Sequence, residues 1–183
     1  MRDYKIAIIV GSLRQDSINR RLANAVAKLG PENFLFDMVR IDDLPLYNED
    51  DDEHQSAAVK RMKAHIASAD GLMFVTPEYN RSIPGVLKNA IDHASRPRGE
   101  SAWRDKPAGL IGASPGAMGT SMAQQHLRNI LASLAVPTLT LPEVFIHAKE
   151  GFFDEAGSIN AISKSLLHHW MARYVAWIIR HAT

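Results

Sequence analysis

Apolar residues fall along this chain in two alternating rhythms. Ile6-Ala7-Ile8-Ile9-Val10 is a continuous run stopped by Gly11, the pattern of a strand buried on both faces, as in a parallel sheet. Leu22, Ala25, Val26 and Leu29 then recur three and four apart before Gly30-Pro31, which predicts a helix and its stop. The same order repeats. Phe34 to Ile41 predicts a second strand, and Val59, Met62, Ile66 and Ala69 mark one face of a second helix. Gly71 to Thr76 predicts a third strand ended by Pro77. A helix opening at Pro84 follows, with Leu87, Ala90, Ile91 and Ala94 on one face. Ala108 to Ala113 predicts the fourth strand, and Met122, Leu127, Ile130 and Leu134 the helix after it. Thr138 to Leu141 predicts the fifth strand. The segment from Ile159 to Ile179 predicts a long helix closing in Arg180-His181, near the negative end of its dipole.

Strands alternating with helices through short loops define an α/β fold: a doubly wound parallel sheet of five strands with helices on both faces. No internal repeat, low-complexity tract or long linker divides the chain, so residues 1–183 read as one domain. In such sheets ligands bind beyond the carboxyl ends of the strands, where the strand order reverses. The loops after strands one, three and four are therefore the places to search.

Composition narrows the chemistry. The 183 residues are 46% hydrophobic and 22% charged, with a formal net charge of +1. That balance argues against a nucleic-acid binder, which carries a basic surplus. There is no cysteine, which removes disulfides, thiolate nucleophiles and Cys-ligated metal centres together. No apolar stretch approaches the length of a membrane span, and no apolar leader precedes the first strand, so a cytoplasmic location is expected. Glu49-Asp50-Asp51-Asp52-Glu53 reads as a solvated loop leading into the second helix. The eight histidines show no ligand spacing. His168 and His169 are adjacent, so on a helix they point about 100° apart and cannot chelate one ion. No metal site is expected. Trp170 and Trp177, seven apart on the last helix, suit core packing.

The loop after strand one is Gly11-Ser12-Leu13-Arg14-Gln15-Asp16-Ser17-Ile18-Asn19. Ser12, Arg14, Ser17 and Asn19 bring hydroxyls, a guanidinium and an amide to a helix N-terminus, whose free N–H groups and dipole favour an anion. This is a shell for a phosphate dianion, with Arg14 as a bidentate fork. Taken singly, Ser17 also reads as a helix N-cap and Ser12 as a turn residue. There is no Gly-Lys-Ser/Thr and no G-x-G-x-x-G in the chain, so the loop is neither a Walker A motif nor a dinucleotide fingerprint.

Thr76-Pro77-Glu78-Tyr79-Asn80-Arg81-Ser82 follows strand three. Pro77 stiffens the exit, Tyr79 offers a flat surface, and Glu78 and Asn80 add polar contacts suited to the edge of a planar heterocycle. Tyr79 equally reads as an aromatic over the sheet, and Glu78 as a surface ion-pair partner. After strand four, Ser114-Pro115-Gly116-Ala117-Met118-Gly119-Thr120 has small residues that let a ligand approach the backbone, or form an ordinary strand-to-helix turn.

Gly11-Ser12-Leu13-Arg14-x-x-Ser17-x-Asn19 followed by Pro77-Glu78-Tyr79-Asn80-x-Ser82-x-Pro84-Gly85-x-Leu87-Lys88-Asn89-Ala90-Ile91-Asp92 resembles the NADPH-dependent FMN reductase family, and within it the bacterial quinone and chromate reductases. Pro45-Leu46-Tyr47-Asn48 and Gln125-His126-Leu127-Arg128 extend the resemblance over nearly the whole chain. It implies a flavodoxin-like fold, FMN, NADPH or NADH as a transient donor, small acceptors such as quinones, and a homodimer or homotetramer. Ser12, Arg14, Ser17 and Asn19 match the family's FMN-phosphate ligands; Pro77, Glu78, Tyr79 and Asn80 match its ring-binding segment; Ser114 and Gly116 match the flanking loop. The resemblance suggests a subunit contact for His126 and Arg128. Arg81, where many relatives have an aromatic residue, and Thr120, where they have a second glycine, depart from the pattern near the mouth of the site. The flavin would carry the chemistry, with no protein residue as catalytic acid, base or nucleophile. A flavodoxin-type electron carrier on the same fold is the alternative, though carriers usually present a strongly acidic face, unlike a chain of net charge +1. A phosphate-sensing domain without flavin is a third reading, disfavoured by the ring-binding segment around Tyr79.

Overall fold

The structure, a computed structural model, describes residues 2–182, with the backbone alone at position 162. Its elements run in chain order as β1 (Tyr4–Val10), α1 (Ile18–Ala27), β2 (Phe34–Met38), α2 (Ala57–Ala67), β3 (Gly71–Val75), α3 (Gly85–Ala94), β4 (Ala108–Ser114), α4 (Ser121–Ser133), β5 (Phe145–His147) and α5 (Ala161–His181). All neighbouring strands pair in parallel, in the order β2-β1-β3-β4-β5. The order reverses between β1 and β3, which opens a crevice at their carboxyl ends.

The unbroken apolar run of β1 is explained by two cores. Ile6, Ile8 and Val10 belong to the layer with Leu22 and Val26 of α1 and Trp170, Tyr174 and Ile178 of α5. Ala7 and Ile9 belong to the opposite layer, with Met62 and Ile66 of α2, Leu87 and Ile91 of α3, and Leu127 and Leu131 of α4. Burying each such leucine or isoleucine is worth about 1.5–3 kcal/mol. Trp170 is buried and stacks on Tyr174 at 5.0 Å and 7°. The Tyr174 hydroxyl donates to the Leu72 carbonyl at 3.0 Å, and burial pushes that phenol well above its usual range. Gly109 permits this contact, because a Cβ there would lie 2.5 Å from the Tyr174 ring.

Three expectations change. The fifth strand is Phe145–His147, paired with Gly112–Ser114, rather than Thr138–Leu141. The earlier segment touches the sheet only at Thr138 beside Ala108, where Leu139 N–H donates to the Ala108 carbonyl. Pro142, which has no N–H, then interrupts pairing. β2 ends at Met38, with one further ladder bond from Val39 N–H to the Ile8 carbonyl. The acidic run forms a short 3₁₀ helix, Glu49–His54, whose N-terminus is capped by the Asn48 side chain; its carboxylates favour that positive end. Among the described residues no helix is long and apolar enough to cross a membrane.

Candidate FMN site at the switch point

Ser12, Arg14, Ser17, Asn19, Pro77, Glu78, Tyr79 and Ser114 come together, with Ile18, Ala113 and Pro115, around one pocket of about 240 Å³. It sits where the loops after β1, β3 and β4 meet. Asn80 and Gly116 lie in those loops but outside the pocket lining. A larger hollow of about 870 Å³ runs along the open edge of β2. There His65 and Asp37 pair with each other at 3.3 Å, and the strand exits lie elsewhere, so the smaller pocket is the functional candidate.

Each side of the pocket is built differently. Ser17 is the α1 N-cap, its hydroxyl accepting from Arg20 N–H at 3.2 Å. Ser12 is buried, and its hydroxyl accepts from Arg14 N–H at 3.4 Å. Among the described residues, the backbone N–H groups of Leu13, Gln15, Asp16, Ser17 and Ile18 have no protein acceptor. Those of Ser17 and Ile18, which line the pocket, lie at the positive end of the α1 dipole and favour an anion there. Arg14 is exposed and makes no ion pair among the described residues.

Asn19 stands beneath this loop, only 2% exposed. Its amide NH₂ donates to the Ala113 carbonyl, and its carbonyl accepts from Ala113 N–H, both at 2.9 Å. The family resemblance sets Asn19 among the phosphate ligands; in the structure its amide bonds to Ala113 of β4, tying the first loop to the fourth strand.

On the opposite side, Tyr79 and Ser82 exchange backbone hydrogen bonds at 2.9 and 3.0 Å. Between them Asn80 and Arg81 both adopt positive φ, 50° and 67°, as a tight type I′ turn requires. Tyr79 is exposed at 47%, leaving its ring free to line a ligand. Glu78 is not a surface ion-pair partner: one carboxylate oxygen accepts from Met122 N–H at 3.0 Å and Ala123 N–H at 3.1 Å. It caps α4, whose own N-cap Thr120 makes no side-chain cap bond. In the loop after β4, the Ser114 hydroxyl accepts from Gly116 N–H at 3.0 Å.

The two α4 residues suggested for a subunit contact bond within the chain. His126 Nδ1 lies 3.0 Å from the Ser82 hydroxyl. Arg128 donates to the Leu139 carbonyl at 2.8 Å and faces Glu143 at 3.4 Å; burial lowers its pKa, offset in part by Glu143.

The fold and pocket describe a flavodoxin-like protein with an anion cradle beside a flat aromatic wall. Comparison with known proteins names the class. Residues 4–151 match the family model for NADPH-dependent FMN reductases, and the chain belongs to that family. It is 49% identical over 175 residues to 2-hydroxy-1,4-benzoquinone reductase of Burkholderia sp., covering 95% of this chain and 96% of that protein. It is 42% identical over 176 residues to a quinone reductase of Pseudomonas putida, covering 96% and 95%. In structure it is similar to the flavoenzyme NAD(P)H:(acceptor) oxidoreductase FerB from Paracoccus denitrificans. The TM-score is 0.94 at 38% identity, over 98% of this chain and 100% of that one. Family membership makes this protein an oxidoreductase using FMN and a nicotinamide donor. The residues present fit FMN: open N–H groups and Arg14 suit a phosphate monoester, and Pro77–Tyr79 with Ser114 suit a planar ring.

Proposed function

We propose that this chain holds FMN across the switch-point pocket and works as an NAD(P)H-dependent reductase of quinones and similar small acceptors. Ser12, Arg14, Ser17 and the α1 N-terminus receive the phosphate, with Asn19 fixing that loop from below. Pro77, Glu78, Tyr79, Asn80, Ser114 and Gly116 form the ring end. When bound, FMN supplies hydride transfer from the nicotinamide and two-electron delivery to the acceptor.

The chain's own part is binding and exposure. Arg14 and the free N–H groups neutralise the phosphate. The Tyr79–Ser82 turn holds a flat wall beside the pocket while leaving its mouth open. Donor and acceptor then use one open face in turn, which predicts ping-pong kinetics. The observation that carries the reading is the convergence of unpaired donors from the first loop with the rigid Pro77–Tyr79 segment in one pocket.

The same reading takes residues 1–183 as a single FMN-binding domain in the cytoplasm, where nicotinamide dinucleotides are available. It also includes a homodimer or homotetramer, supported by Leu46, Tyr79, Met118 and Met122 standing exposed on and beside the loops at the sheet's carboxyl edge. Light scattering that returns a monomer's mass at micromolar concentration would remove that part.

The test of activity is an anaerobic visible spectrum of the FMN-loaded protein before and after NADPH. Bleaching of the flavin bands within seconds, reversed by a benzoquinone, is expected. Bound flavin that stays oxidised with both NADPH and NADH would favour an electron carrier.

A further inference from the structure

Two side chains that flank the tight turn after β3 both reach the same helix. Glu78 precedes the turn and accepts from Met122 and Ala123 N–H. Ser82 closes it and meets His126 Nδ1 at 3.0 Å. Met122 and His126 are four residues apart and so share one face of α4. The turn between them is held in left-handed backbone at Asn80 and Arg81. The segment facing the ring end of the pocket is thus fastened at two points along the first turn and a half of α4.

We infer that Glu78 is a positioning residue: its carboxylate clamps the Pro77–Ser82 loop to the α4 N-terminus and sets where the flavin ring lies, rather than acting on the ring through its charge. The inference rests on the FMN reading above and goes beyond it by giving the acidic residue at the ring end a mechanical role. Three features support it. The carboxylate oxygen already accepts two hydrogen bonds. α4 has no side-chain cap of its own, so the N–H groups of Met122 and Ala123 depend on Glu78. The positive end of the α4 dipole also offsets the carboxylate charge, reducing the field it could impose on a neighbouring ring.

The clamp needs an acceptor oxygen and not a charge, and that separates it from an electrostatic role. Glu78→Gln keeps an acceptor at the same place; Glu78→Ala removes it. Two readouts are combined. In the FMN-free protein, hydrogen exchange at Met122 and Ala123 reports the clamp directly. Exchange should quicken by about tenfold or more in Glu78→Ala and stay near the parent rate in Glu78→Gln. In FMN titrations followed by flavin fluorescence, the dissociation constant should rise roughly three- to thirtyfold in Glu78→Ala and recover to within about threefold of the parent in Glu78→Gln.

Equal weakening in both variants would overturn the inference in favour of a charge acting on the ring, and an unchanged dissociation constant in Glu78→Ala would overturn it by showing that the residue does not set where the ring lies. Should the alanine variant fail to fold, a glutamine variant as weak as an Arg14→Ala protein would still overturn it. A parent protein that binds no FMN would refute the cofactor reading instead, while the exchange arm would still report on the clamp.

Discussion

The two loops that form opposite ends of the pocket solve different problems. After β1, the backbone N–H groups of Leu13, Gln15, Asp16, Ser17 and Ile18 have no protein acceptor among the described residues, and the Arg14 guanidinium makes no ion pair there, so that loop has open capacity for an anion. After β3, Glu78 and Ser82 are bound to α4 and the Tyr79–Ser82 turn is bound to itself, so that loop is built to hold a shape. One end selects by open hydrogen-bonding capacity, and the other selects by rigidity. Substitutions in the first should therefore change affinity with little effect on folding, while those in supporting residues should change both.

The largest effect is expected where the two designs meet. Asn19→Ala would leave the buried N–H and carbonyl of Ala113 unpaired, costing about 2–5 kcal/mol. A fall in Tm of roughly 5–15 °C follows for a chain of this size. Differential scanning fluorimetry showing no change would mean that the Asn19–Ala113 pair does not join the loops.

Arg14→Ala comes next and should separate affinity from stability. Losing one charge-assisted contact costs about 1.5–3 kcal/mol, or roughly ten- to a hundredfold in FMN affinity. Because the Arg14 side chain is exposed and makes no ion pair among the described residues, Tm should not move. An unchanged FMN dissociation constant would remove Arg14 from the phosphate site.

The smallest effect concerns the apex of the rigid loop. Arg81 occupies φ 67°, a region that costs an L-residue about 1–2 kcal/mol. Glycine relieves that strain but loses chain entropy. Arg81→Gly should therefore raise stability by about 0.5–1 kcal/mol in denaturant titration. A loss of stability would show that the arginine side chain holds the turn.

The contrast between the loops also explains what could be read in the sequence. The residues of the first loop are contiguous and their chemistry is local, so Ser12, Arg14 and Ser17 were visible together. β1, β3 and β4 were equally visible, because central parallel strands are apolar on both faces. The roles of Asn19 and Glu78 were not, since their partners lie 94 and 44 residues away and only the folded chain brings them near. Ile18, Ala113 and Pro115 were missed for a related reason: small or apolar, they carry no chemical signal apart from position. β5 was misplaced because it is a three-residue edge strand, and the polar–apolar alternation of Thr138–Leu141 also reads as a strand. Nothing in the spacing of Arg128 revealed that the Leu139 carbonyl and Glu143 would meet its guanidinium, since that contact too exists only in the folded chain.

The central claim is that the first loop recognises a phosphate while the third fixes a ring. Comparing the dissociation constants of FMN and riboflavin, which share the ring and differ in the phosphate, tests it most directly. The account predicts that FMN binds about a hundredfold more tightly or better, and that Arg14→Ala narrows the gap by weakening FMN alone. Equal affinity for the two flavins would contradict it.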